Sequence, residues 1–306
     1  MIRIGSFLHK QGQYLLQNQL YALVMTAALA AIPFAAWLSL SVVALVTLRK
    51  GGYDGFKVLV AGLTVAIITA SQSTVLPYTI SSVVMTFSMG YIAALMLRFS
   101  ASWKIVTGFM LTMALLGMLL IACLLPDYIM EQFQVLLTLF RSIEQGEIVV
   151  RLLDSHSGAN QELLANYLLG VKAFSIVLSA LSSLMLARYI QSLLFNPGGF
   201  RAEILEFRAS RIGVLLLVIS AIGAYQGNLV AVSCLPILVV YLMAAGMSLL
   251  FNIMSRKQNL VTIFLLFVPL VIAPYVMLPV YVFFGSLDSL FNFRLRLLSK
   301  TGELRK

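Results

Sequence analysis

Residues 186–211 read LARYIQSLLFNPGGFRAEILEFRASR, and their reading decides how the rest of the chain is organised. An apolar helix closes near Arg188, the chain turns at Asn196, Pro197, Gly198 and Gly199, and a short basic amphipathic segment precedes the next apolar run. Proline fixes the exit angle, and the paired glycines permit backbone conformations that other residues resist. After the turn, Phe200, Ile204, Leu205 and Phe207 fall largely opposite Arg201, Glu203 and Arg208, as in a helix lying on a membrane face. The stretch is expected to be a cytoplasmic joint, residues 196–211, between a six-span core, residues 1–195, and a C-terminal membrane bundle, residues 212–306.

Composition supports membrane on both sides of that joint. Hydrophobic residues make up 61% of the 306 and charged residues 10%, with mean hydropathy +0.99. A soluble domain carries about 25% charged residues. The apolar runs recur at lengths that suit membrane helices of about 20 residues. A bilayer offers no water to the backbone, so such runs must form helices or a closed barrel. Their unbroken apolarity is unlike the alternation of a barrel strand. The expected fold is an all-α polytopic bundle of about eight to ten membrane segments.

The net charge of +10 does not point to nucleic acid. Lysines and arginines gather in short loops between apolar runs, which sets orientation. Of the 21 basic residues, only Arg141, Arg151 and Lys172 fall outside when both termini are placed in the cytoplasm. Cys123 and Cys234 lie within apolar runs and have no disulfide or metal spacing. The opening MIRIGSFLHKQGQ is polar for too long to be a signal peptide, so the first helix is expected to be retained.

Taken in order, residues 14–48 are best read as two short crossings turning near Pro33, since that places Arg3, Lys10, Arg49, Lys50 and Lys57 together. The turn RKGGYDGF, residues 49–56, leads to further runs at 57–70, 75–97 and 105–125. Residues 126–165 are acidic, and within them Ile129, Phe133, Leu136, Leu137, Phe140 and Ile143 recur at helical spacing. An amphipathic helix at the outer boundary is expected there. One crossing follows to the joint. Residues 212–251 divide near Tyr225 and Asn228, and 260–284 form a second broken segment holding Pro269, Pro274 and Pro279.

Enzymatic readings find little support. His9 and His156 have no partner at metal or triad spacing, and no metalloprotease, serine-hydrolase or nucleotide-binding motif is present. No catalytic residue, metal or cofactor is expected. Lys172 is the clearest ionisable residue within a span, which makes it a functional candidate by default. Snorkelling to the nearby outer surface is the simpler account, because the spans offer it no carboxylate and Glu162 is the nearest in sequence. Ser71, Gln72, Ser73, Thr74 and Tyr78 cluster at an outer helix end, as do Tyr225, Gln226 and Asn228. Individually these cap and solvate loops. As a set with Trp37 and Lys172, they could line a pocket for a small polar ligand.

Ala27 and Ala31 mark a small-residue face on the first span, for packing within the bundle or docking to another membrane subunit. Near the C-terminus, in GSLDSLFNFR, Asp288 is expected to cap an amphipathic helix carrying Leu290, Phe291, Phe293 and Leu297. The basic end, with Arg294 and Arg296, suits an anionic inner leaflet.

The segments LARYIQSLLFNPGGFRAEI and GSLDSLFNFRLRL, with TLRKGGYDGF, resemble the YybS-like family of bacterial inner-membrane proteins. In layout the six spans up to Leu194 are also distantly similar to the substrate-binding S components of energy-coupling-factor transporters. That likeness implies a small molecule bound from outside and an alanine face docked to a coupling subunit. The spans from Ile212 onward have no counterpart in it. Two readings follow. One is a small-solute-binding or transport-related membrane component; the other is a membrane scaffold acting through cytoplasmic contacts at Arg201, Arg208 and the C-terminal tail.

Overall fold

The computed structural model describes residues 2–32, 34–72, 76–141, 158–254 and 268–293. Thr74, Arg294, Pro33 and Ser73 lie outside the described residues, as do residues 142–157 of the acidic segment and the basic C-terminal end. All regular structure among the described residues is helical. The helices are α1 (Ile2–Gln17), α2 (Gln19–Ala31), α3 (Ala36–Lys50), α4 (Gly52–Ala70), α5 (Leu76–Ser100), α6 (Trp103–Leu124) and α7 (Pro126–Arg141), followed by α8 (Gly158–Phe195), α9 (Gly199–Leu205), α10 (Arg211–Tyr225), α11 (Leu229–Met254) and α12 (Pro274–Phe291). Six contain stretches long and apolar enough to cross a membrane: α4, α5, α6, α8, α11 and α12. The apolar helices α2 and α10 are shorter. The protein is an integral, multi-pass membrane protein. Its outward-facing side chains agree: Leu116, Leu119, Leu120 and Leu124 of α6 and Leu215, Val218, Ile219 and Ile222 of α10 are all exposed. Lipid tails accept such a surface, whereas water does not.

The chain forms two compact units. The first comprises Met1–Ala114, Glu131–Glu147 and Lys172–Phe200; the second comprises Leu115–Met130, Ile148–Val171 and Arg201–Lys306. The division therefore passes through α6, α7 and α8.

In the first unit α3 is the central element. Every residue from Ser39 to Leu48 is buried, which leaves no solvent-facing stripe. α2, α4 and α5 surround it, and α1 packs more lightly. α2 and α3 pack against each other, so the apolar stretch is a hairpin. Lipid supplies no hydrophobic drive between helices, so close approach and hydroxyl bonding must hold them. On α4, Gly62 has no side chain where Thr26, Ser39 and the Phe87 ring converge. Ser39 Oγ donates to Thr26 O across the hairpin at 2.9 Å. The face of α2 used here is Ala22, Thr26 and Ala30, all buried, while Ala27 is half-buried and Ala31 exposed.

The turn between α3 and α4 is fixed from outside itself. Gly51 sits at φ 119°, open to glycine and strained for other residues. The Arg98 guanidinium donates to Thr47 O at 3.0 Å, satisfying a carbonyl that the end of α3 leaves free. Tyr91 Oη donates to Gly52 O at 2.9 Å.

The second unit is built on α11 and α12, its most extensive pairing. A Cβ on Gly246 would meet Tyr281 O, and one on Gly285 would meet Leu242 O, so the two backbones touch without intervening side chains. Asn166 of α8 accepts from Ser233 Oγ of α11 at 3.2 Å. The expectation that Asp288 caps a following helix is not met. Asp288 lies in the last turn of α12, fully buried, and its carbonyl accepts from Asn292 N. The glycine contact draws α12 so close to α11 that its final turn is covered rather than frayed.

Candidate functional site

Three side chains from separate helices meet in the first unit. Tyr78, two residues into α5, donates its hydroxyl to Glu131 Oε2 of α7 at 3.1 Å. Lys172 of α8 places its Nζ 5.7 Å from the centroid of the Tyr78 ring. Tyr78 and Lys172 are half-buried, and Glu131 is exposed. The phenol thus contacts a carboxylate through its hydroxyl and an ammonium through its ring, whose negative quadrupole attracts cations.

Each position follows from local sequence. α5 begins at Leu76, which places Tyr78 in its first turn. In α7, Ile129, Phe133 and Leu137 are buried as their spacing predicts, and Glu131 falls on the opposite side of that stripe. α8 runs for 38 residues, about 57 Å, against a hydrocarbon core of about 30 Å. Part of it must therefore project beyond the bilayer, and Lys172, fourteen residues in by numbering, suits the boundary. A lysine there can keep its ammonium hydrated while its stem lies along apolar surface.

The predicted ligand set is only partly assembled. Tyr78 and Lys172 are brought together. Trp37 is 38% exposed, but its carbonyl accepts from Ser183 Oγ at 2.7 Å. Ser183 lies about 16 Å along α8 from Lys172, so the Trp37 backbone is held at a different level. Gln72 is exposed in the turn after α4, where its backbone N–H donates to Thr69 O. Glu131 was not among the expected site residues. Its only sequence signal is a carboxylate on the polar side of an amphipathic helix, which ordinarily means solvation.

The stretch at residues 196–211 is held by its own turn and by contacts to neighbouring helices. Gly198 adopts φ 91°, and Gly199 N donates to Asn196 O at 3.0 Å, closing the expected turn, in which Pro197 is exposed. Phe200 packs edge-on against Trp103 and Tyr189. Arg201 is exposed, whereas Arg208 donates through Nη2 to Ser289 O at 2.8 Å.

Chemically, a lysine, a tyrosine and a glutamate at one boundary offer both signs of charge, an aromatic face and a hydroxyl. These groups suit binding of a charged small solute. Among the described residues, no three histidine, cysteine, aspartate or glutamate side chains gather as a metal site would need. No family model, curated protein or solved structure matches this chain.

Proposed function

We propose that the protein is a small-solute-binding, transport-related component of the bacterial inner membrane, with both termini cytoplasmic and the site of Tyr78, Glu131 and Lys172 facing outward. The observation that carries this reading is the bond from Tyr78 to Glu131 with Lys172 over the same ring, drawn from three helices of one unit. Charged groups in membrane segments are costly and tend to mark substrate paths. The resemblance to YybS-like proteins and to S components is consistent with this, as is the exposure of Ala31 on α2 as part of a docking face for another membrane subunit.

The scaffold alternative draws less support, because Arg208 is committed within its own unit while only Arg201 is exposed. A thermal-shift screen of the full chain in detergent, with amino acids and short dicarboxylates as probes, tests the solute reading. A charged solute should raise the melting temperature of the native chain and lose that effect in Lys172→Met and Glu131→Gln. Failure of every probe, or stabilisation that persists in both variants, would sink it.

A further inference from the structure

The ends of three helices of the first unit meet around one turn. α3 finishes at Lys50, α5 at Ser100 and α8 at Phe195. The Arg98 guanidinium donates through Nη1 to Thr47 O at 3.0 Å and to Leu48 O at 3.5 Å. That of Arg49 lies 3.7 Å from the centroid of the Phe195 ring. Arg49, Lys50 and Arg98 are thereby gathered at the end of α3. Along α5, Arg98 lies twenty residues beyond Tyr78, about 30 Å, which matches the thickness of a hydrocarbon core. The cluster therefore stands at the membrane surface opposite the one that Tyr78 occupies.

These cations lack a counter-charge nearby. In residues 1–126, Asp54 is the only aspartate or glutamate, and it pairs with Lys57 at 3.3 Å. Among the described residues no carboxylate stands within ion-pair distance of Arg49, Lys50 or Arg98. The free carbonyls at a helix end favour a cation, which accounts for Arg98. They do not account for three at one place, since like charges repel.

The surroundings indicate which anion fits. Phe99 is 82% exposed and Tyr53 77%, and Phe56 and Phe195 are exposed as well. Open rings beside cations are poorly suited to a phosphate dissolved in water, whose site would be polar throughout. They suit a phospholipid: its phosphate meets the guanidinium groups, which bind such oxygens in pairs, and its acyl carbons cover the rings.

We propose that the ends of α3, α5 and α8 bind the headgroup of an anionic phospholipid, held by Arg49, Lys50 and Arg98 and flanked by Tyr53 and Phe99. This site is separate from that of Tyr78, Glu131 and Lys172, so it stands or falls apart from the solute reading.

Native mass spectrometry of the full chain in detergent tests it, with phosphatidylglycerol and phosphatidylcholine of identical acyl chains as probes. Phosphatidylglycerol should be retained about tenfold more than phosphatidylcholine. Arg49→Gln combined with Lys50→Gln should abolish that preference. Arg211→Gln, which removes an exposed cation from the second unit, should keep it. Equal retention of the two lipids, or a preference that survives the double variant, would overturn the proposal. Loss of the preference in Arg211→Gln as well would also overturn it, because net charge alone would then explain binding. Displacement of the lipid by excess inorganic phosphate would assign the cations to a soluble phosphate instead. A second measurement needs no variant to fold: phosphatidylglycerol carrying a diazirine on its headgroup, photolysed with the native chain in liposomes. The label should map to residues 48–57 and 95–99, and label found only elsewhere would count against the site.

Discussion

Gly246 and Gly285 face one another where α11 and α12 meet, each leaving room for the other helix's backbone. In membranes this is how helices associate, since dispersion over a close contact replaces the hydrophobic effect. Gly246→Ala or Gly285→Ala puts a methyl against a carbonyl oxygen that cannot rotate away. The expected loss is at the upper end of the about 1–3 kcal/mol typical of overpacking. Gly108→Ala on α6 has open space around it and should be neutral or slightly stabilising. Unfolding of the detergent-solubilised variants by graded denaturant compares the three. Equal behaviour would show that the contact does not hold the unit.

Arg98→Ala removes the bond that satisfies the end of α3 beside Gly51. Bonds to charged groups contribute about 1.5–3 kcal/mol when buried. Arg98 is exposed, so about 1 kcal/mol is the better expectation. Faster proteolysis at residues 49–56, with the rest of the chain unaffected, is the expected readout. An unchanged cleavage rate would mean that Gly51 alone sets the turn.

Ser39→Ala and Ser183→Ala each delete one cross-helix hydroxyl bond in the first unit. Both should lower stability only modestly, by about 0.6 kcal/mol, the average for such bonds in membranes. A loss several times larger in either variant would indicate that the hydroxyl organises more of the bundle than its one partner. Thermal unfolding in a single detergent suffices for the comparison.

Tyr78→Phe keeps the ring under Lys172 but removes the donor to Glu131. Fold stability should change by less than about 1 kcal/mol, because the bond is exposed. Any solute-induced thermal shift should weaken without vanishing, since both charges remain. A shift of native size would place the solute away from the phenol.

Several of these features were legible in the chain alone. The burial of Ile129, Phe133 and Leu137 was readable because helical periodicity is local to the chain. The hairpin break between α2 and α3 was readable because charges at both ends constrain how often the chain can cross. The turn at Asn196 to Gly199 announced itself through proline and glycine. Glu131 was not legible as the partner of Tyr78, because 53 residues separate them and nothing local links the two. Which alanines of α2 pack inside the unit was not legible either: Ala22 and Ala30 are buried, Ala27 is half-buried and Ala31 is exposed. Alanines at 22, 27, 28, 30 and 31 surround the helix, so small size alone does not select Ala22 and Ala30.

The sequence by itself determined that this is a helical, multi-pass membrane protein. Burial of backbone in lipid leaves no alternative for apolar runs of such length. Only the tertiary structure decided which helices are neighbours, that α3 is enclosed, that Tyr78 joins Glu131 and Lys172, and that Asp288 is buried. The reason is physical. Insertion depends on the apolarity summed along each segment, whereas association depends on the shape and hydroxyls of particular faces, and several faces of each helix satisfy the first requirement equally well. The stretch at residues 186–211 shows both sides: its turn was written in the chain, but the hold of Arg208 on Ser289 was set by which helices came to lie beside it.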